Sequence, residues 1–250
     1  MKLYHELAEC YFAIENNHRD IHYDVAFISG QARAGASPSL LDLGCGTGEH
    51  MDLLSKKGLR CTGIDISEDM LAAARKRFPS GIEFVRMDMA DIDYSDVFDM
   101  VISLFGSFNY LINDSDIVEV LLKVHRALVP GGTGVFEIWN TQPIVKIREK
   151  EIDLVSVTDW RGSSITRERG FKLRNDRSKT VVEVNYRYQV SGPEGTKTMR
   201  DRHIMRTFTV GEISHFLTRS GFAVRHVYSN FQSHPYDENS NRMVVVFSRG

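Results

Sequence analysis

Apolar positions change their period twice along the chain, dividing it into three stretches. Near the N-terminus Leu3, Leu7, Tyr11 and Ile14 recur every three or four positions, which predicts helix over residues 3–30. Gly35-Ala36-Ser37-Pro38 then breaks the pattern. From residue 40 onward short apolar runs read as strands at 40–43, 61–64, 82–86, 100–104 and 134–139. Helices fall between them: one ends near Lys57, one spans 70–78, and one spans 116–128. Ser67 and Glu68 open the second, Pro79 and Gly81 close it, and Pro130-Gly131-Gly132 stops the third. Strands alternating with helices predict an α/β fold with a doubly wound parallel sheet.

After Trp139 the period changes from helical to two. Val182, Val184, Tyr186, Tyr188 and Val190 alternate with polar residues, and 199–208 reads as a further strand beyond a turn at Gly192-Pro193-Glu194-Gly195. Weaker strands at 152–159 and 164–173 complete a small antiparallel sheet. The expected organisation is one domain made of 1–144 and 209–250, interrupted by an inserted β subdomain at 145–208 that serves as a lid or an oligomer interface. A helix at 210–220 and strands at 223–228 and 243–248 close the chain; 14 residues between the last two suit an antiparallel turn-back.

Composition narrows the partners. The 250 residues are 42% hydrophobic with a formal net charge of −2, so no global positive field draws DNA or an anionic membrane. Apolar runs fall far short of the ~20 residues a bilayer crossing needs. Three cysteines without a CxxC pair fit a reduced, cytoplasmic protein with neither a disulfide framework nor a zinc site. The exposed edges of an antiparallel insertion would admit a homodimer.

The chemistry concentrates between the first two strands. Asp42-Leu43-Gly44-Cys45-Gly46-Thr47-Gly48 places three glycines where a strand turns into a helix, so the backbone can approach a ligand without an intruding Cβ. Asp65 ends the second strand, 19 residues past Gly46, as an acid reaching ribose hydroxyls should. The spacing Gly-x-Gly-x-Gly differs from the pyrophosphate-binding Gly-x-Gly-x-x-Gly. Asp88 ends the third strand, placed to accept from an adenine amino group while Met89 packs on the ring.

These motifs resemble the core of class I S-adenosylmethionine-dependent methyltransferases over residues 40–134. The resemblance implies a Rossmann-like, seven-stranded sheet with an antiparallel last strand, S-adenosyl-L-methionine as cofactor and S-adenosyl-L-homocysteine as its product. It implies that Gly44, Cys45 and Gly46 contact the methionine moiety, and Asp42, Ile66, Met70 and Leu104 join the cofactor side with Asp65, Asp88 and Met89. A narrower likeness covers most of the chain: Tyr11, Leu104-Phe105-Gly106-Ser107, the inserted strands and Arg242 are similar to features of the sugar-nucleotide N,N-dimethyltransferases of macrolide pathways. From it Tyr11 and Tyr23 are expected to close over the cofactor and Tyr110 to face the acceptor. Gly106-Ser107 stands where that family has paired serines, and Trp139-Asn140 where it has a double tryptophan.

Methyl transfer from a sulfonium is an in-line displacement, so the site must align the nucleophile, methyl and sulfur and exclude water. An amine acceptor must also arrive unprotonated, or lose its proton to a base within hydrogen-bond reach. Tyr4, Tyr110, Glu137 and His203 are candidates on the acceptor side, with Tyr110 orienting the acceptor, Trp139 walling its pocket and Arg242 anchoring a phosphate. His203 shares the Met199, Asp201, Met205 face of its strand; Arg200, Arg202 and Arg206 occupy the other face, read as solvated. No metal is expected, since Asp99 lies at the wrong end of the sheet. O-methylation, RNA methylation and non-catalytic cofactor binding are the alternatives; the residues after the fourth strand lack the Asp/Asn-Pro-Pro-aromatic loop that methylates base amines.

Overall fold

Leu40, Leu41 and Leu43 are wholly buried, and the strand that carries them, β1 (Ser39–Leu43), lies inside a seven-stranded sheet. The computed structural model describes residues 1–16, 19–32, 37–147, 150–176, 179–193 and 195–250. Chain order runs α1 (Tyr11–Asn16), α2 (Ile21–Gln31), β1, α3 (Glu49–Lys56), β2 (Arg60–Asp65), α4 (Glu68–Arg77), β3 (Ile82–Arg86), β4 (Phe98–Ser103), α5 (Asp114–Ala127), β5 (Leu128–Trp139) and α6 (Thr141–Ile147). Four long strands follow, β6 (Lys150–Trp160), β7 (Ser163–Asp176), β8 (Lys179–Gly192) and β9 (Gly195–Thr207), then α7 (Val210–Arg219), β10 (Phe222–Tyr228) and β11 (Arg242–Arg249).

The large sheet has the order β10-β11-β5-β4-β1-β2-β3. β1 to β5 pair in parallel, and β11 runs antiparallel to both β5 and β10, as the sequence suggested. Residues alternate between its two faces. Leu41, Leu43, Phe136 and Val245 pack with α5 and α7, while Leu40, Val135 and Val244 pack with α2, α3 and α4. Each fully buried leucine or phenylalanine contributes roughly 1.5–3 kcal/mol of apolar burial, so the paired cores hold the strand ends in place. Among the described residues no helix is long and apolar enough to cross a membrane.

The second sheet is a β6-β7-β8-β9 antiparallel meander. The chain leaves and re-enters the large domain at one point. Phe208 N–H donates to the Trp139 carbonyl at 3.0 Å, and Thr141 N–H donates to the Phe208 carbonyl at 3.1 Å.

Three sequence expectations need revision. The helix expected over 3–30 is broken into single turns at Lys2–Tyr4 and Ala8–Cys10, then α1 and α2. Asp20 caps α2 through the His22 N–H, and Leu3, Leu7, Cys10 and Ile14 pack with Ile165, Tyr188 and Met199 of the meander, so docking onto β7, β8 and β9 overrides helical continuity. The strand expected at 134–139 starts at Leu128, which pairs with Phe98, and Pro130-Gly131-Gly132, with Gly131 at φ +70°, bulges out before the ladder resumes at Thr133. Arg206 does not lie on a solvated face. At the end of β9 it is 2% exposed, ion-paired to Asp114 and laid over Phe208 and Phe216. The break expected at Gly35-Ala36 lies outside the described residues.

Candidate functional site

β1 and β4 are neighbours, while the connections after them lead to opposite halves of the sheet. Open α/β sheets bind ligands at such a switch point, beyond the carboxyl ends of the strands. Here the two loops meet. The Ser103 hydroxyl donates to the Leu43 carbonyl at 3.2 Å, and a Cβ on Gly44 would lie 2.5 Å from Ser107 Oγ. Gly44 at φ +97° and Gly46 at φ +56° adopt the left-handed backbone that glycine tolerates, and both Gly44 and Cys45 N–H groups donate to the Ile64 carbonyl at 2.9 Å. The turn is therefore fixed against the end of β2.

Asp65 completes that fixation. Its carboxylate accepts from Gly46 N–H at 3.0 Å and from Ser67 N–H at 2.8 Å, and each oxygen can take a second donor. Burial raises its pKa against those amide bonds. Asp42, 2% exposed at the end of β1, has an Oδ1 with no hydrogen-bond partner; burial, then the charge of Asp65, pushes it up to about 8. Burial likewise keeps the Cys45 thiol protonated. Met70 and Tyr11 flank the turn, since a Cβ on Gly46 would lie 3.3 Å from Met70 Cε and 3.8 Å from Tyr11 Cε1. Ile66 is 61% exposed and Leu104 is buried. Asp88 accepts from Ala90 N–H at 2.9 Å, with Met89 half-buried beside it.

These residues fit S-adenosylmethionine. A strand end with an orphaned Asp42, whose pKa is pushed up, beside a buried Asp65 rewards a ligand that brings positive charge, and this cofactor carries both an ammonium and a sulfonium.

A cavity of about 990 Å³ opens next to this turn, between the carboxyl ends of β4 and β5 and the meander. Tyr4, Tyr11, Tyr110, Trp139, His203 and Arg242 line it, and Tyr23, 53% exposed, sits at its rim. The structure thus brings every acceptor-side candidate into one chamber. Tyr4 bridges its two ends: its ring packs edge-on against Tyr11 at 5.8 Å, and its hydroxyl lies 2.8 Å from that of Tyr110.

Glu137 is not a free base. It accepts two bonds from Arg19, one from Arg242 at 2.9 Å and one from Phe105 N–H at 2.8 Å. Burial alone would raise its pKa, yet Arg19 and Arg242 hold it down to about 2. The same pairing engages Arg242. Sequence reasoning passed over Arg19, Arg167, Arg169 and Tyr186, which also line the chamber. Arg167 and Arg169 lie two apart on β7 and Tyr186 on β8, so the period-two pattern carried the signal; what it lacked was the direction in which the meander folds back.

Residues 40–132 match the family described as Methyltransferase domain. The chain is 29% identical over 218 residues to a Geobacillus sp. (strain WCH70) protein that carries a methyltransferase name, covering 86% of this chain and 85% of that protein. It is 27% identical over 202 residues to dTDP-3-amino-3,4,6-trideoxy-alpha-D-glucopyranose N,N-dimethyltransferase of Streptomyces venezuelae, covering 79% of this chain and 80% of the other. The fold superimposes on an S-adenosylmethionine-dependent methyltransferase from Clostridium acetobutylicum with a TM-score of 0.83, at 19% identity and 99% coverage of each chain.

Proposed function

We propose that this S-adenosylmethionine-dependent methyltransferase methylates the amine of a small molecule, an amino sugar carried on a nucleotide being the class that suits it best. The observation that carries the reading is Tyr4, packed on Tyr11 beside the glycine turn at one end and hydrogen-bonded to Tyr110 in the chamber at the other. The cofactor supplies a methyl group on a sulfonium, whose departure leaves a neutral thioether. Gly44, Cys45 and Gly46 with Asp42 take the methionine end, Asp65 and Ile66 the ribose, and Asp88 and Met89 the adenine. Met70 and Leu104 pack beside them, and Tyr11 and Tyr23 close the opening. Tyr4 and Tyr110 orient the acceptor, with Trp139 and His203 as walls.

The chamber volume suits a ligand larger than a simple amine. Arg169 contributes an Nε without a hydrogen-bond partner, and Arg242 a guanidinium with 38% of its side chain exposed, so an anionic carrier group would find donors there. The relationship to an amino-sugar N,N-dimethyltransferase supports the amine. The inserted segment 145–208 acts as the lid of the chamber. Its outer face, with Val157 and Ile204 exposed, offers a surface for a second copy. The protein works in the cytoplasm, where its cysteines stay reduced.

The test is methyl transfer to dTDP-3-amino-3,4,6-trideoxy-glucose, followed by S-adenosylhomocysteine release and product mass, with the 3-hydroxy analogue alongside. Mass gains of one and then two methyl groups on the amine support the reading. Turnover of the hydroxy analogue alone would replace it with O-methylation, and release with neither would remove the sugar.

A further inference from the structure

We propose that Tyr4, Tyr110, His203 and Asp201 form a relay that removes the proton from the acceptor amine, with the Tyr4 oxygen touching the amine and His203 receiving the charge. The inference rests on the amine reading above and adds the route of the proton.

The polarity of the chain follows from its partners. Asp201 Oδ2 lies 3.2 Å from His203 Nε2 and also accepts from Leu3 N–H at 2.8 Å. Burial opposes its ionisation, but the bonds from His203 and Leu3 hold it down to about 2, so it is a carboxylate that can only accept. Nε2 of His203 must therefore carry the proton, which leaves Nδ1 as an acceptor in the neutral ring. Nδ1 faces the Tyr110 hydroxyl at 2.5 Å, so Tyr110 donates to it. With its proton engaged, Tyr110 can meet Tyr4 only as acceptor, and Tyr4 donates at 2.8 Å. All three hydrogens thus point toward Asp201. Tyr4, the first member of the chain and the residue beside Tyr11, thus gives its own proton to Tyr110 and keeps its oxygen lone pairs for an incoming donor.

An acceptor arriving as an ammonium donates its proton to Tyr4 O, the Tyr4 proton moves to Tyr110 O, and the Tyr110 proton moves to His203 Nδ1. No other bond changes. The amine keeps its lone pair for the methyl carbon, and the new imidazolium sits against the Asp201 carboxylate. His203 is 2% exposed. Apart from Asp201, Tyr110 and Tyr4, the titratable group packed on it is Tyr186 of β8, at 5.2 Å between rings; the nearby Glu15 of α1 is paired with Arg167 of β7. The relay is also braced mechanically. Tyr4 is held on one side by the Leu3 bond to Asp201 and on the other by Ser67, whose hydroxyl donates to the Tyr4 carbonyl at 2.6 Å and caps α4.

His203 and Asp201 are positioning residues, acting through the two tyrosines. The experiment compares kcat/KM against pH, with the amino sugar above as acceptor, in wild type, His203→Gln and Asp201→Asn. Wild type should lose activity on the acid side. His203→Gln should fall by about 100-fold at pH 7 and lose that acid limb, with its affinity for S-adenosylmethionine within twofold of wild type. Asp201→Asn should move the acid limb to lower pH. An unchanged acid limb in His203→Gln overturns the relay. Nitrogen-15 histidine NMR of the wild type with S-adenosylhomocysteine decides the matter independently of turnover. A neutral ring protonated on Nε2, identified by its response to Tyr110→Phe, supports the relay, and one protonated on Nδ1 overturns it. If no amine turns over but the NMR result holds, the amine reading fails and the hydrogen-bond order stands.

Discussion

Arg19 and Glu137, 118 residues apart in the chain, meet through two hydrogen bonds of 2.7 and 2.8 Å, and the same guanidinium donates to Asp24 at 2.6 Å. Arg19 lies over the ring of Phe105 at 4.3 Å and near that of Phe231 at 5.0 Å. One buried cation therefore joins the N-terminal segment, β5 and the loop after β4. That junction holds Phe105, at φ +53°, in a left-handed conformation that a bulky residue rarely adopts.

Removing one partner of a buried ion pair strands the other. Arg19→Met should lower stability by about 3 kcal/mol, read as a shift in the urea midpoint, because Asp24 and Glu137 lose a shared donor. The double change Arg19→Met with Glu137→Gln should recover part of that loss. Equal destabilisation by both would show that packing, not charge, dominates.

Glu137 also sets a pH dependence. Its folded pKa, held to about 2, lies below the unfolded value near 4.3, so its contribution is complete above the unfolded value and fades as pH falls toward 2. The stability gap between wild type and Glu137→Gln should therefore be widest at neutral pH and narrow steadily below pH 4.5. A gap independent of pH in denaturant melts at pH 7, 4 and 3 would contradict this.

Asp42 has the opposite sign. Pushed up to about 8, it binds a proton in the folded protein that it lacks in the unfolded chain, so its contribution is present at low pH and declines as pH rises through the folded value. A cationic ligand should expel that proton. Calorimetry of S-adenosylmethionine binding at pH 7, in buffers of different ionisation enthalpy, should show proton release in wild type and much less in Asp42→Asn.

Asp65 should dominate affinity. Losing a carboxylate that accepts charge-assisted bonds costs about 1.5–3 kcal/mol, or roughly 10- to 150-fold in Kd, so Asp65→Ala should bind S-adenosylmethionine at least tenfold more weakly. Unchanged affinity in a folded variant would move the ribose elsewhere.

Gly44→Ala combines two penalties, a residue at φ +97° and a Cβ at 2.5 Å from Ser107 Oγ. Strain of this kind costs about 1–3 kcal/mol, which for a chain of this size is a fall of several degrees in Tm. Ser107→Gly should relieve the contact but not the backbone strain, so it should restore only part of the loss.

The Gly44-Cys45-Gly46 turn and the acids at 42, 65 and 88 were legible because local chemistry specifies them: a strand, a tight glycine turn and a helix occupy one short stretch, and the acids sit at strand ends that the period reveals. The reversal of β11 was expected from the family resemblance and from reading the 14 residues before it as a simple turn-back, and β11 does run antiparallel to β10 and β5. Asp201 and His203 could be placed on one face of β9 from their spacing of two. Their meeting with Tyr4 and Tyr110 could not, because it depends on how the meander packs onto the N-terminal segment through Leu3, Leu7 and Ile14. The same holds for Glu137, whose period marks it as facing the chamber but whose charge is claimed by Arg19 and Arg242 from opposite ends of the chain. Sequence by itself determined most strands and helices of the large sheet and the glycine turn, because those are set by interactions within a few residues, whereas the N-terminal segment was broken by its docking onto the meander. Only the tertiary structure decided which ionisable groups are paired and which remain free to act, because burial and partner distance govern that, and both arise when distant segments pack.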